Sequence, residues 1–220
     1  MDPYGDRLPQ RQSGQRHPEY IVALFDRLTR SGNKDANWVE DLHGFLFCQW
    51  VSIELMMLLL IADTHVPQRA LDLPAQLWDE VAKADVVFHA GDWVAPKLLD
   101  KLESKAARLV ACWGNNDGPE LRSRLPERAD VMLAGVHFTV VHDTGAAESR
   151  EVRMSQLYPE SQVLVFGHSH ISWDTTTTTG LRLLNPGSPT DRRRQAFCSY
   201  MTANVDNGTL KDLVVHRLEK

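Results

Sequence analysis

Five apolar runs, each stopping against a short polar island, constrain this 220-residue chain more than any other feature. Leu58–Ile61 leads to Asp63-Thr64-His65, Val86–Phe88 to Gly91-Asp92, and Leu109–Trp113 to Gly114-Asn115-Asn116-Asp117. Phe138–Val141 runs into His142, and Val163–Phe166 into Gly167-His168-Ser169-His170. Short apolar runs bounded by polar and glycine residues predict buried strands. Strands are expected near 57–62, 85–90, 107–113, 130–134, 136–141 and 162–166. Helices are expected near 75–83, where Pro74 suits the first turn, near 95–106, opened by Ala95-Pro96, and near 147–157. Side chains at successive strand ends converge along one sheet edge, which is where open α/β folds place their sites.

The tail from Ile171 to about Leu218 predicts short antiparallel strands. Thr175–Thr179 is β-branched throughout and disfavours a helix, and Asn185-Pro186-Gly187-Ser188 signals a turn. An α/β front with a β-rich back predicts two packed sheets flanked by helices. Upstream, residues 1–18 are polar with little to bury and predict disorder. Tyr20–Arg30 has helical spacing, stopped by Ser31-Gly32-Asn33, and Asn37–Glu54 predicts a second helix.

Composition narrows the setting. Hydrophobic residues make up 43% and charged residues 24%, ordinary values for a globular domain. The formal charge of −5 provides no general pull toward nucleic acid or an anionic membrane. Three cysteines, Cys48, Cys112 and Cys198, form neither a disulfide framework nor a zinc-ligand pair, so a reducing cytoplasm is the expected location. The most apolar stretch, Phe45–Ile61, is interrupted by Gln49, Ser52 and Glu54, and no membrane span is expected.

The islands consist of carboxylates, amides and imidazoles, donors that suit Mn, Fe, Ni, Co or Zn. Asp63 and His65 stand two apart; on a regular strand their side chains would share a face and could hold one ion. Asp92 has an oxygen for each of two ions, Asn115 supplies a neutral amide oxygen, and His168 and His170 could serve different ions if the chain bends after Gly167. Gly91, Gly114 and Gly167 each precede a proposed ligand. Any one of these pairs alone reads as an ordinary loop; their order and spacing together do not. His89 reads equally as a support for the site or a core residue, and His17, His43, His137 and His216 read as structural or surface residues. Arg192-Arg193-Arg194 reads as a solvated run, with phosphate contact the alternative.

The order D-x-H, G-D, G-N-x-D, H, G-H-x-H resembles the calcineurin-like metallophosphoesterases. The compact core and the Asn185–Ser188 segment resemble their small YfcE-type phosphodiesterases in particular. The resemblance spans about Met56 to Leu218 and implies a four-layer α/β/β/α sandwich of two mixed sheets. It implies one metal on Asp63, His65, Asp92 and His170, and a second on Asp92, Asn115, His142 and His168, with manganese the first expectation. The activity implied is phosphodiester hydrolysis by a hydroxide bridging two ions about 3.5–4 Å apart, on a small-molecule substrate. Small members of the family are often homodimers or homotetramers.

Two positions depart from the pattern. Larger members carry a histidine where this chain has Asn116, so the general-acid role has no occupant. Asp143 follows His142, where glycine is common. Asp117 is expected to support a ligating group. A phosphomonoesterase, a nuclease and a protein-binding scaffold of the same fold are the alternatives; the acidic charge and the lack of an evident duplex-gripping domain argue against the nuclease. Residues 1–55 are expected to be an extension, either a helical appendage or sequence upstream of a true start at Met56, ahead of a metallophosphoesterase domain over 56–220.

Overall fold

The computed structural model describes residues 55–218. The segments expected to be disordered over 1–18 and helical over 20–30 and 37–54 lie outside the described residues, as do His17 and His43.

The chain alternates strands and helices through β1 (Met56–Ile61), α1 (Ala75–Lys83), β2 (Val86–Ala90), α2 (Pro96–Lys105) and β3 (Leu109–Cys112). It continues through α3 (Pro119–Arg124), β4 (Arg128–Leu133), β5 (Val136–Val141), α4 (Arg150–Leu157) and β6 (Val163–Val165), then β7 (Trp173–Thr176), β8 (Arg182–Asn185), β9 (Cys198–Asp206) and β10 (Thr209–Leu218). One sheet has the order β10-β9-β1-β2-β3, the other β4-β5-β6-β8-β7. Strands β1, β2 and β3 run parallel, as do β5, β6 and β8, while antiparallel strands complete both sheets.

The period of two along β1 assigns its faces. Leu58 and Leu60 pack with Phe88, Phe138, Val140 and Val165 between the sheets, whereas Leu59 and Ile61 pack with Leu77, Val81, Leu98 and Leu102 of α1 and α2. On the far side of the second sheet, Leu164, Phe166 and Leu183 pack with Met154 of α4. Strands buried on both faces explain the continuous apolar runs of β1 and β2. The result is the four-layer α/β/β/α sandwich.

The tail differs from expectation. Strands β9 and β10 form a long hairpin rather than short strands, closed by Asn207 and Gly208, both with positive φ (46° and 74°). An Asn-Gly pair is the residue choice for such a turn. Strand β8 joins β6 in parallel, and only Thr175 and Thr176 of the threonine run are in a strand. Helix α3, a six-residue element capped by Gly118 and opened by Pro119, has no counterpart among the expected elements.

Candidate metal centre

The parallel strands β1, β2, β3, β5 and β6 deliver their islands to one edge of the sandwich. Neighbouring loops are stitched backbone to backbone. The Asp63 N–H donates to the Gly91 carbonyl at 3.0 Å, His65 N–H to Asp92 O at 3.0 Å, and Gly167 N–H to His142 O at 2.9 Å. Asp63, His65, Asp92, His142 and His170 are buried, while Asn115 is exposed and His168 partly so.

All seven expected ligands come together, in two groups. In the first, His65 Nε2 lies 3.2 Å from His170 Nε2 and 3.6 Å from Asp92 Oδ2, and His170 Nε2 lies 3.4 Å from Asp63 Oδ1. In the second, His142 Nε2 lies 3.4 Å from Asp92 Oδ1 and 3.0 Å from Asn115 Oδ1, which is 2.8 Å from His168 Nδ1. Two trios, Asp63–His65–His170 and Asp63–Asp92–His142, each offer donor atoms within 4.8 Å of one another.

The local geometry is not the regular strand expected for Asp63 and His65. Both lie beyond β1, with φ of 54° and 45°. Asp92, His168 and His170 are also left-handed, at 61°, 69° and 60°. Non-glycine residues rarely hold this conformation, and where they cluster the surrounding structure must enforce it. Bending at His168 and His170 sends the two imidazoles to different groups. Gly114 is needed for close approach rather than for turning: a Cβ there would stand 2.3 Å from Asp92 Oδ1.

Hydrogen bonds select which ring nitrogen faces inward. His142 Nδ1 donates to the Ala90 carbonyl at 2.8 Å and His170 Nδ1 to the Asp191 carbonyl at 2.6 Å, leaving each Nε2 for the centre. Asp63 Oδ2 is buried without a hydrogen-bond partner. An orphaned carboxylate oxygen surrounded by inward-facing imidazole nitrogens is a donor set suited to divalent cations.

The electrostatics fit that reading. Burial pushes the Asp63 pKa up to about 8, aided by the nearby Asp92 charge. Burial would raise Asp92 as well, yet hydrogen bonds from His142 and Asn116 hold it well below the usual carboxylate range. Desolvation lowers His65, and lowers His170 to about 4. Burial also acts to lower His142, but its contact with Asp92 and the Asp63 charge outweigh this and raise it.

The Asp117 side chain holds the backbone of the neighbouring loops. Its carboxylate accepts N–H groups from Asp92 (3.1 Å), Trp93 (2.8 Å), Val94 (2.8 Å) and Gly114 (2.7 Å), binding two ligand loops together. Asn116 contacts Asp92 directly. His89 is fully buried, stacked on Trp93 at 3.4 Å and hydrogen-bonded to Thr64, between Asp63 and His65. His137 binds the Glu160 carbonyl and His216 stacks on Tyr200, both apart from the centre.

The sequence alone did not reveal the supports. Asn185 Nδ2 donates to the Gly167 carbonyl at 2.8 Å and Ser188 Oγ to the Asp63 carbonyl at 2.7 Å, so the Asn185–Ser188 turn braces two of the loops that carry candidate ligands. Arg122 Nε donates to Asp117 O at 2.7 Å while its guanidinium lies over Trp113. No local sequence signal pairs residues as far apart as Ser188 and Asp63.

The family model for the calcineurin-like phosphoesterase superfamily domain matches residues 56–208. The chain belongs to this superfamily. A probable metallophosphoesterase of Methanocaldococcus jannaschii is 34% identical over 136 residues, covering 61% of this chain and 69% of that protein. Among solved structures, a Thermotoga maritima protein is 31% identical with a TM-score of 0.60, covering 74% of this chain and 99% of its own. Vps29 of Entamoeba histolytica, crystallised with Zn²⁺, has a TM-score of 0.60 at 21% identity over 74% of this chain and 98% of its own, and shares the fold. Among the described residues, no helix is long and apolar enough to cross a membrane.

Proposed function

We propose that this chain is a dinuclear metal-dependent phosphodiesterase acting on a small phosphodiester. The observation that carries the reading is the Asp92 carboxylate, whose Oδ2 faces His65 while Oδ1 faces His142, one oxygen toward each donor group. Asp63, His65, Asp92 and His170 would hold one ion, and Asp92, Asn115, His142 and His168 the other, with manganese the first choice among Mn, Fe, Ni, Co and Zn. When bound, such a pair supplies Lewis acidity toward phosphoryl oxygens and brings the pKa of water toward neutrality.

The chain's own residues do the positioning. His142 and His170 present fixed lone pairs through their carbonyl-bound Nδ1 atoms. Asn116 holds the Asp92 carboxylate with its amide and its backbone N–H. An amide cannot give a proton to a departing alkoxide, so esters of acidic alcohols and phenols should react fastest. The buried loops, stitched across strands, keep the donors in place before substrate arrives.

The test is hydrolysis of bis(p-nitrophenyl) phosphate against p-nitrophenyl phosphate by metal-stripped protein resupplied with Mn²⁺. Mn²⁺-dependent turnover of the diester above the monoester is expected. Preference for the monoester would reassign the chain as a phosphatase. No turnover of either with metal bound would favour a protein-binding role, the second reading, which the fold shared with Vps29 supports.

A further inference from the structure

The run Arg192-Arg193-Arg194 contains one residue tied to the centre. Arg193 Nη1 donates to the backbone carbonyl of His168 at 3.1 Å, and its backbone N–H reaches Asp191 Oδ1 at 3.2 Å. The Asp191 carbonyl in turn accepts His170 Nδ1 at 2.6 Å. The guanidinium therefore stands beside both histidines of the Gly167–His170 loop, and its charge acts on Asp63, His65 and His170. Arg192, by contrast, turns back on its own segment, donating to the Gln195 carbonyl at 2.7 Å.

Two features separate Arg193 from a solvated surface charge. Its backbone is left-handed, with φ 47°, a conformation unfavourable for arginine. Among the described residues, no carboxylate forms an ion pair with its guanidinium; the nearby Asp191 carboxylate is engaged instead by Arg69 Nε at 3.3 Å. Arg69 belongs to the loop after His65, to whose carbonyl its N–H donates at 2.9 Å. Arg69 thus balances the Asp191 carboxylate, while the Arg193 guanidinium, held on the His168 carbonyl, keeps a positive charge that no ion pair among the described residues offsets. A guanidinium with unused N–H donors is the group best matched to phosphoryl oxygens.

From this arrangement we infer that Arg193, assisted by Arg69, forms a subsite for a second phosphoryl group. The inference rests on the phosphodiesterase reading and narrows its substrate class to small phosphodiesters bearing a further phosphate, such as a 5′-phosphorylated dinucleotide. Arg193 sets the preference for that phosphate; the ester bond is broken at the centre beside it.

Calorimetric titration of the full chain, metal-free and Mn²⁺-loaded, with adenosine 3′,5′-bisphosphate and with 5′-AMP tests the subsite. Neither probe is a diester, so binding is read apart from diester turnover. The bisphosphate is expected to bind about tenfold tighter than 5′-AMP, as one additional charge-assisted contact provides. That preference should vanish in Arg193→Ala and persist in Arg194→Ala. Equal affinities in the unmodified chain, or a preference surviving Arg193→Ala, would overturn the inference. Diester turnover is scored separately: turnover without the preference leaves the phosphodiesterase reading standing and the subsite rejected, and a preference lost in Arg193→Ala without turnover does the reverse.

Discussion

Asn116 closes on Asp92 with two hydrogen bonds, its N–H to Oδ1 at 2.9 Å and its Nδ2 to Oδ2 at 2.6 Å. Each carboxylate oxygen that faces a histidine is thereby also fixed from the loop after β3. Asn116 is thus a clamp on that carboxylate. Asn116→Ala removes the side-chain bond but leaves the backbone one. Metal affinity is expected to fall by about tenfold, the lower end of the effect of losing a group that orients a ligand. Metal titration checks it; an unchanged affinity would show that the amide is not part of the support.

Asp92→Asn leaves the carboxylate's shape but removes the charge expected to serve both ions. Metal content should drop from two ions toward one per chain, with loss of diester turnover. Elemental analysis beside the kinetic assay decides, and full activity with both metals retained would defeat the assignment of Asp92 as the shared ligand.

Metal binding should release protons, and the site says from where. Asp63, raised to about 8, holds its proton at pH 7 in the metal-free chain, and His142 is also raised. His170, lowered to about 4, and the lowered His65 are already neutral. Ligands must be deprotonated, so affinity should climb with pH toward about 8 and flatten above it. For stability the sign is opposite. Asp63's contribution to the metal-free fold is fully present below its unfolded value of 3.8 and is lost as pH rises through about 8. Calorimetry at pH 7 in buffers of different ionisation enthalpy should report at least about one proton released per chain; none released would contradict the protonated Asp63.

Asp117→Ala would strand four buried or half-buried N–H groups on two ligand loops. An orphaned buried donor costs about 1–3 kcal/mol, and the losses share one site, so a total near ~4 kcal/mol is expected. Urea unfolding measures it. A loss below ~1 kcal/mol would mean that water or other groups replace the carboxylate.

Much of this protein was legible in order of appearance. The apolar runs predicted β1, β2, β3, β5 and β6 because strands buried on both faces have few polar positions to confuse the pattern. Helices α1 and α2 show their amphipathic spacing and proline starts, and Asn207-Gly208 carries the local signal of the hairpin turn. The long β9 and β10 were harder to see, because β10 alternates exposed and half-buried positions and breaks register between Lys211 and Val214.

What the sequence by itself determined is the set of chemical groups and the strand that ends at each one. Strand period and residue chemistry are local properties, and they suffice to place seven donors at one sheet edge. Only the tertiary structure decided the backbone geometry by which those donors divide. The division depends on left-handed turns at Asp63, His65, Asp92, His168 and His170 that no residue in those positions prefers. Such conformations are held by bonds across the fold, from Asp117 to the Asp92 and Gly114 loops, from Asn185 to Gly167, and from Ser188 to Asp63. Those partners stand up to 125 residues apart in the chain, and bonds over that distance exist only once the sheets have packed.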